Sequence, residues 1–462
     1  MEPVSDRGLW NEDLAPTPVS QRTWTRWHVA SLWVGMAVCI PTWMMAADMV
    51  KAGMSVAQSL VTVALGNLVV LIPMVLGAHP GTRYGIPFPV FARAAFGVRG
   101  ANFAALARAL VACGWFGIQT WIGGGSIYAI LSVAGIGGGE PLAVLGINSV
   151  QLLCFLAFWL VNVFFIWRGI ESIKWLEALA APFLLVGGTA LLVWAWSTHG
   201  TGAMFDAPGL EGAALVRTFG PFFTAMVAFW GTLALNIPDF SRFCRSQRDQ
   251  IIGQSIALPT TMTYFAFIGA AVSSATGIWD PSVLVAGFSA PVVVVVGLLG
   301  LAVATLSTNI AANVVSPAND FSNLVPGRID YKLGGYITAA IGVVIMPWKL
   351  TNNYVFGWLG GYGALLGPIC GVLIVDYWII RRRVLVVDDL YRRGGIYEYT
   401  SGWNRWAVNA TLLGIAPNLP GFLHAVALVD SVPAIFDQLY AYNWFVGFAV
   451  GAVVYFVGMR RR

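Results

Sequence analysis

Neutral polar side chains, set at helical spacing inside apolar stretches, are the groups in this sequence best suited to recognise a ligand. Trp115 and Gln119 stand four residues apart and share one helix face. Thr305, Thr308, Asn309, Asn313 and Ser316 follow three- and four-residue spacing, with Ser307 beside them. Such a stripe among alanines and valines must face protein or water, because lipid cannot satisfy it. Two uses are open for Gln119, Asn309 and Asn313: interhelical hydrogen bonding, which polar side chains do routinely, and a binding site. For Ser316 alone the first is favoured. Trp115 and Trp230 lie well inside apolar stretches, away from the interfacial belts where tryptophan gathers. Packing is the commoner use of such residues. A pair of indoles beside primary amides also suits a flat ring bearing an O=C–N–H edge. The indoles would stack on its faces, and each amide would offer a donor and an acceptor to the edge.

Ionisable chemistry is sparse. Asp48, Glu177, Asp239, Asp320 and Asp376 read as lying near the ends of apolar spans, where charge is tolerated, and Arg108 falls inside one, so it is expected to face the bundle interior. This scarcity argues against a carboxylate proton relay. The five cysteines, Cys39, Cys113, Cys154, Cys244 and Cys370, contain no CxxC pair, and the four histidines are scattered. Neither a disulfide framework nor a zinc site is suggested, and the clustered groups that a membrane-embedded enzyme needs are missing. The glycines of GWFGIQTWIGGG, residues 114–125, lack the strand and the Lys-Ser/Thr of a phosphate loop, and close helix packing explains them.

These side chains must be positioned by membrane helices. The 462 residues are 58% hydrophobic and 10% charged, against about 25% charged in soluble domains. The net charge of +5 is spread over loops, which argues for membrane topology and against a nucleic-acid partner. With roughly 20 apolar residues needed per crossing, twelve spans are expected, at about 28–48, 56–78, 102–133, 141–167, 175–198, 217–238, 255–278, 290–316, 334–348, 354–379, 403–428 and 439–459. With both ends inside, every lysine and arginine falls in a cytoplasmic segment except Lys51, Arg217 and Lys349 outside and Arg108 within a span. An error of one early span would destroy that alternation. The first 27 residues are polar, with no apolar core of a signal peptide, and read as a cytoplasmic tail.

An internal repeat is visible. Trp33 to Pro41 reads WVGMAVCIP in the first span, and Trp230 to Pro238 reads WGTLALNIP in the sixth. Five spans precede the second copy, so the halves would be inverted. Proline and glycine let a helix break, and transporters place such breaks at corresponding points of two halves. Ordinary proline kinks are the alternative.

Longer blocks carry a family resemblance: LWNEDLAPTP near Leu9, GTRYGIPFPVFARAAFGVRG from Gly81, ALVACGWFGIQTWIGG from Ala109, LNIPDFSRF from Leu235, LSTNIAANVVSPANDFSNL from Leu306, and GPICGVLIVDYWIIRRR from Gly367. The chain resembles the nucleobase:cation symporter-1 family, which includes hydantoin, allantoin, uracil and cytosine permeases. The resemblance implies an all-α polytopic membrane protein with twelve helices. Ten would form a LeuT-like five-plus-five inverted repeat, here about 28–198 and 217–379, followed by two extra helices at about 403–459. The tail of residues 1–27 and the end at 460–462 would be cytoplasmic, in the plasma (inner) membrane. It further implies a ring held between Trp115 and Trp230, with amide contacts from Gln119 and Asn313. Cys39 and Phe229 stand where the family's hydantoin permease has glutamine and glycine, and both would border the ring. A sodium site is implied at the carbonyls of Gly35, Val38 and Ala304 with the hydroxyls of Ser307 and Thr308. No cofactor is implied beyond the coupling ion, Na⁺ or H⁺. The expected activity is symport of a small uncharged heterocycle. Uracil, allantoin and hydantoin lead, with cytosine or a vitamin-like ring behind. A channel would need a continuous pore with rings of charge or carbonyls, which nothing in the sequence suggests.

Overall fold

The computed structural model describes residue 6 and residues 8–168 and 170–460, with backbone course alone for 170–179, 352 and 356. Arg7, Lys174, Glu177, Arg461 and Arg462, used in the charge pattern and the survey of carboxylates, lie outside the described side chains. The described residues form no strand, only two isolated bridges, Trp24 with Cys244 and Thr400 with Trp403.

The chain runs through α1 (Arg26–Ala37), α2 (Ile40–Lys51), α3 (Val56–Tyr84), α4 (Phe88–Phe96), α5 (Ala101–Val133), α6 (Ser149–Arg168) and α7 (Ile170–Phe205). The second stretch holds α8 (Gly212–Phe229), α9 (Gly231–Asn236), α10 (Pro238–Ser241), α11 (Gln247–Thr276), α12 (Pro281–Ala286), α13 (Pro291–Asn313), α14 (Val315–Leu324), α15 (Tyr331–Val344), α16 (Pro347–Leu350) and α17 (Gly360–Ile374). Four more follow: α18 (Arg405–Ile415), α19 (Leu419–Ala425), α20 (Ala434–Ala441) and α21 (Asn443–Arg460).

Local signals set many boundaries. Ser55 and Gln58 form a capping box that opens α3, and Gly85, at φ +76°, closes it. Asn148 accepts from the Gln151 amide at 2.8 Å while Gln151 accepts from the Asn148 amide at 3.0 Å. That cap starts α6 at Ser149, so the fourth span begins later than the expected residue 141; Gly146, at φ +74°, turns the chain just before it.

Nine helices among the described residues are long and apolar enough to cross a membrane, and the pair α1 and α2, bent by 55°, makes a tenth as one broken span. The ninth and eleventh expected spans do not reach that length. α15 has 14 residues and stops before Met346, at φ +53°, and Pro347. The eleventh is divided into α18 and α19 by a 3-10 turn at Ala416–Asn418, with Pro417 and Pro420 interrupting the hydrogen-bond ladder.

Both Trp…Ile-Pro segments interrupt helices, but in different registers. The first breaks at Val38 and Cys39, directly before Ile-Pro. The second breaks at Trp230 itself and again at Ile237. In each case the proline sits in the first turn of the next helix, where its missing N–H is not needed.

Small residues allow the broken helix to lie against its neighbours. A Cβ on Gly269 of α11 would come within 2.8 Å of the Trp43 carbonyl oxygen and 2.9 Å of its Cα on α2. Those are backbone atoms, so they cannot turn aside. Gly269→Val is expected to destabilise the protein by about 1–3 kcal/mol through overpacking, read as a lowered melting temperature in detergent. An unchanged melting temperature would mean that α2 and α11 separate without cost.

Candidate ring and cation site

The break between α1 and α2 leaves carbonyls without helical partners. Gly35 offers its oxygen to the Thr308 hydroxyl of α13, which donates at 3.2 Å. Ser307 is buried beside it, and Val38 and Ala304 pack in one apolar cluster. The five residues of the expected sodium site are therefore gathered where the unwound end of the first half-helix meets α13. Hydroxyl and carbonyl oxygens are the donors that a hard cation prefers, so the donor set suits Na⁺. The described residues hold no cluster of three or more His, Cys, Asp or Glu that could bind a metal.

The aromatic groups form a connected run of edge-on contacts. Trp115 meets Phe229 edge-on at 5.3 Å, and its indole N–H donates to the Tyr362 hydroxyl at 3.3 Å. Tyr354 and Trp358 complete its surroundings at 5.9 and 6.3 Å. Trp230 is edge-on to Phe229 at 5.1 Å and edge-on to Trp33 at 5.1 Å. Its indole N–H donates to the Asn67 carboxamide oxygen at 2.9 Å, with the Met262 sulfur at 3.0 Å. Phe229 thus makes ring contacts with both of the indoles expected to hold the ring.

The amides fall on α5 and α13. Gln119 is buried, and its Oε1 has no hydrogen-bond partner. Asn313 donates from Nδ2 to the Asn309 oxygen at 3.0 Å. Cys39 caps α2, with its thiol 3.3 Å from the Thr42 hydroxyl.

Three of the carboxylates expected near span ends are buried. Asp239 sits on α10 and accepts from the Phe88 amide at 2.9 Å. Asp320 lies on α14, past Val314 where the chain leaves regular helix, and faces Arg108 at 3.5 Å with both side chains wholly buried. Asp376 pairs with Arg381 at 2.6 Å and accepts from the Tyr455 hydroxyl at 2.7 Å. Arg108 faces the interior, as expected.

Two cavities flank the site. One of about 1060 Å³ reaches Ile40, Pro41, Asp48, Ile118, Ile122 and Tyr354. The other, about 810 Å³, reaches Trp24, Leu32, Asp239, Ala311 and Val315. They meet opposite ends of the broken α1–α2 span. Trp115, Gln119, Trp230 and Asn313 line neither cavity, and each is at most 6% exposed. At the second cavity, burial raises the Asp13 carboxyl above the usual range although the Tyr331 amide donates to it.

Residues that pattern reading passed over are Asn67, Asn162 and the aromatic run Tyr354, Trp358 and Tyr362. The run had a signal, four-residue spacing on one face. Asn67 and Asn162 had only that of a lone amide inside an apolar span.

The family model for permeases of cytosine and purines, uracil, thiamine and allantoin matches residues 16–447. The chain is 42% identical to the purine-uracil permease of Arabidopsis thaliana, over 99% of this chain and 78% of that one. It is 39% identical to the allantoin permease of Bacillus subtilis, over 98% and 93%. Among solved structures it is similar to a nucleobase-cation-symport-1 family transporter in a closed conformation with bromovinylhydantoin bound, with a TM-score of 0.80, 26% identity, and coverage of 98% and 96%. With a family model spanning nearly its whole length and broken helices around a ring of aromatic and amide side chains, the chain belongs to the family of permeases for cytosine and purines, uracil, thiamine and allantoin.

Proposed function

We propose that this protein is a secondary active symporter that imports a small uncharged nucleobase-like ring by alternating access. Uracil, allantoin and hydantoin are the leading substrates, ahead of cytosine or a vitamin-like heterocycle. The observation that carries the reading is the buried aromatic and amide cluster beside two broken helices, closed off between two cavities at opposite ends. Trp115 and Phe229 or Trp230 would cover the ring, while Gln119 and Asn313 read its edge and Cys39 borders it. Na⁺ would bind at Gly35, Val38, Ala304, Ser307 and Thr308, and co-binding of ion and ring would link their fluxes. Residues 28–198 and 217–379 would act as the two repeats, within a twelve-span plasma-membrane protein whose termini are cytoplasmic.

The deciding experiment is uptake of labelled uracil, allantoin and hydantoin into liposomes holding the purified protein, with and without a Na⁺ gradient. Saturable, gradient-driven accumulation of unaltered ring is expected. Thr308→Ala removes a hydroxyl ligand and should abolish the Na⁺ dependence of substrate affinity. Uptake by the unmodified protein that ignores Na⁺ but collapses with a proton uncoupler would replace Na⁺ by H⁺ as the coupling ion. Chemically altered product inside the liposomes would overturn the symporter reading.

A further inference from the structure

The polar stripe of α13 contains one amide that no ligand needs to touch, yet its hydrogen bonds determine how its neighbour is presented. The nitrogen and oxygen of a carboxamide are distinguished by what they bond to, and a backbone carbonyl only accepts. Asn309 is wholly buried, and its Nδ2 lies 3.2 Å from the Phe116 carbonyl oxygen, so that end must be the donor. Thr120 gives its only hydroxyl proton to the same Phe116 carbonyl at 2.7 Å, so toward Asn309, 3.2 Å away, its oxygen accepts. Asn162 donates from Nδ2 to the Phe158 carbonyl at 2.9 Å and therefore turns its oxygen to Asn309, at 3.0 Å. Three neighbours thus demand a donor at the same end of Asn309, and two backbone carbonyls underlie all three demands.

The other end of Asn309 is then fixed as an acceptor. It receives the Nδ2 of Asn313 at 3.0 Å. With one N–H of its nitrogen held there, Asn313 has its orientation fixed, so its Oδ1 is turned away from Asn309 and is free to accept. Gln119, on the helix that carries Phe116 and Thr120, likewise holds a buried Oε1 without a partner.

We propose that Asn309 is a positioning residue that locks the Asn313 carboxamide with its oxygen toward the ring. The site thereby selects heterocycles that present N–H donors along the recognised edge, as in ureides and imides, over rings with a lone-pair nitrogen there. A lone-pair nitrogen against Asn313 Oδ1 sets acceptor against acceptor, and the amide cannot flip without breaking the chain back to Phe116 and Phe158. The inference rests on the proposed function and deepens it to a donor-edge substrate class.

Competition binding on the purified full-length protein tests it, using uracil, hydantoin, their singly N-methylated forms and cytosine. One N-methylated position, and the lone-pair edge of cytosine, should each bind about 10- to 100-fold more weakly than the parent ring, the discrimination that a site built on buried hydrogen bonds achieves. Asn309→Leu removes the lock, so the preference for a donor edge over cytosine should shrink to within about threefold, from the predicted tenfold or more. Asn309→Asp, neutral in that buried setting, keeps an acceptor for Asn313 and a proton for Phe116 and should restore the original ranking. A structural role alone would weaken all rings equally in Asn309→Leu, and an unchanged ranking in that variant overturns the proposal. Should Asn309→Leu not fold, the unmodified protein still decides: N-methylated rings and cytosine binding as well as the parents overturns it. Failure of every ring to bind overturns the proposed function itself, an outcome distinct from binding without discrimination.

Discussion

Arg108→Leu is expected to destabilise the protein by about 3–5 kcal/mol, while the double variant Arg108→Leu/Asp320→Leu recovers most of the loss. The two side chains face each other at 3.5 Å, with neither accessible to solvent. None of the three guanidinium nitrogens finds a hydrogen-bond partner of good geometry, and neither do the two Asp320 oxygens. Attraction across such a gap is offset largely by the cost of removing both charges from water. Deleting one partner leaves the other charge buried and alone, which is why the single change is severe. Deleting both removes the desolvation cost together with the attraction and puts apolar side chains in a dry interior. Thermal unfolding of the four proteins in detergent reads the cycle directly. A double variant as unstable as Arg108→Leu would mean that the pair is held by something other than mutual charge compensation. The pair ties α5 to α14, and Asp239 lies close enough to act on both charges electrostatically. The cycle therefore also measures how firmly the region beside the smaller cavity is fastened.

Why Arg108 was legible in the sequence and Asp320 was not follows from helix continuity. A charge inside an unbroken apolar run has no route to water, so Arg108 in α5 had to face inward. Asp239 and Asp320 were placed near span ends by counting along straight helices. The chain breaks at Trp230 and Ile237 and leaves regular helix at Val314, with φ −115° and ψ −46°, while Pro291–Leu324 still runs as one apolar span. Both carboxylates are buried by neighbouring helices, which position along a span does not reveal. The breaks were anticipated through the Trp…Ile-Pro repeat, but their register was not, since proline marks where a helix can start more firmly than where the previous one stops. The same limit explains the aromatic groups. Trp115 and Trp230 could be placed at membrane depth from spacing, but the direction of an indole depends on partners from distant segments. Asn67, 163 residues before Trp230 in the chain, gives no local sign of that role. By contrast, the juxtaposition of Thr308 with Gly35 was legible through resemblance, because it depends on two elements meeting at a broken helix.

Trp115→Ala is expected to weaken every planar substrate together, by about 10- to 150-fold, while Trp230→Phe changes stability more than affinity. Trp115 is held by one hydrogen bond to Tyr362 at 3.3 Å and stands edge-on to Phe229 at 5.3 Å. Replacing Phe229 over its face with a flat ring requires a side-chain rotation and no loss of hydrogen bonding. Losing a buried indole removes stacking and apolar contact of about 1.5–3 kcal/mol, hence the predicted factor. Stacking ignores the donor pattern of the edge, so the order of preference among rings should survive. Trp230 is differently placed. To reach the ring it must give up its N–H to Asn67 at 2.9 Å and leave Trp33, stranding a buried amide oxygen at about 1–3 kcal/mol. Trp230→Phe strands the same oxygen in the free protein, so its melting temperature should fall. Its ring affinity should stay within about threefold of the unmodified protein if Phe229 serves as the second face. Phe229→Ala would then lower affinity alongside Trp115→Ala. Competition binding with the three variants separates the arrangements. A large affinity loss in Trp230→Phe with none in Phe229→Ala would show that the indole leaves Asn67 when the ring binds. Unchanged affinity in Trp115→Ala, in a protein that folds and reaches the membrane, would place the site elsewhere.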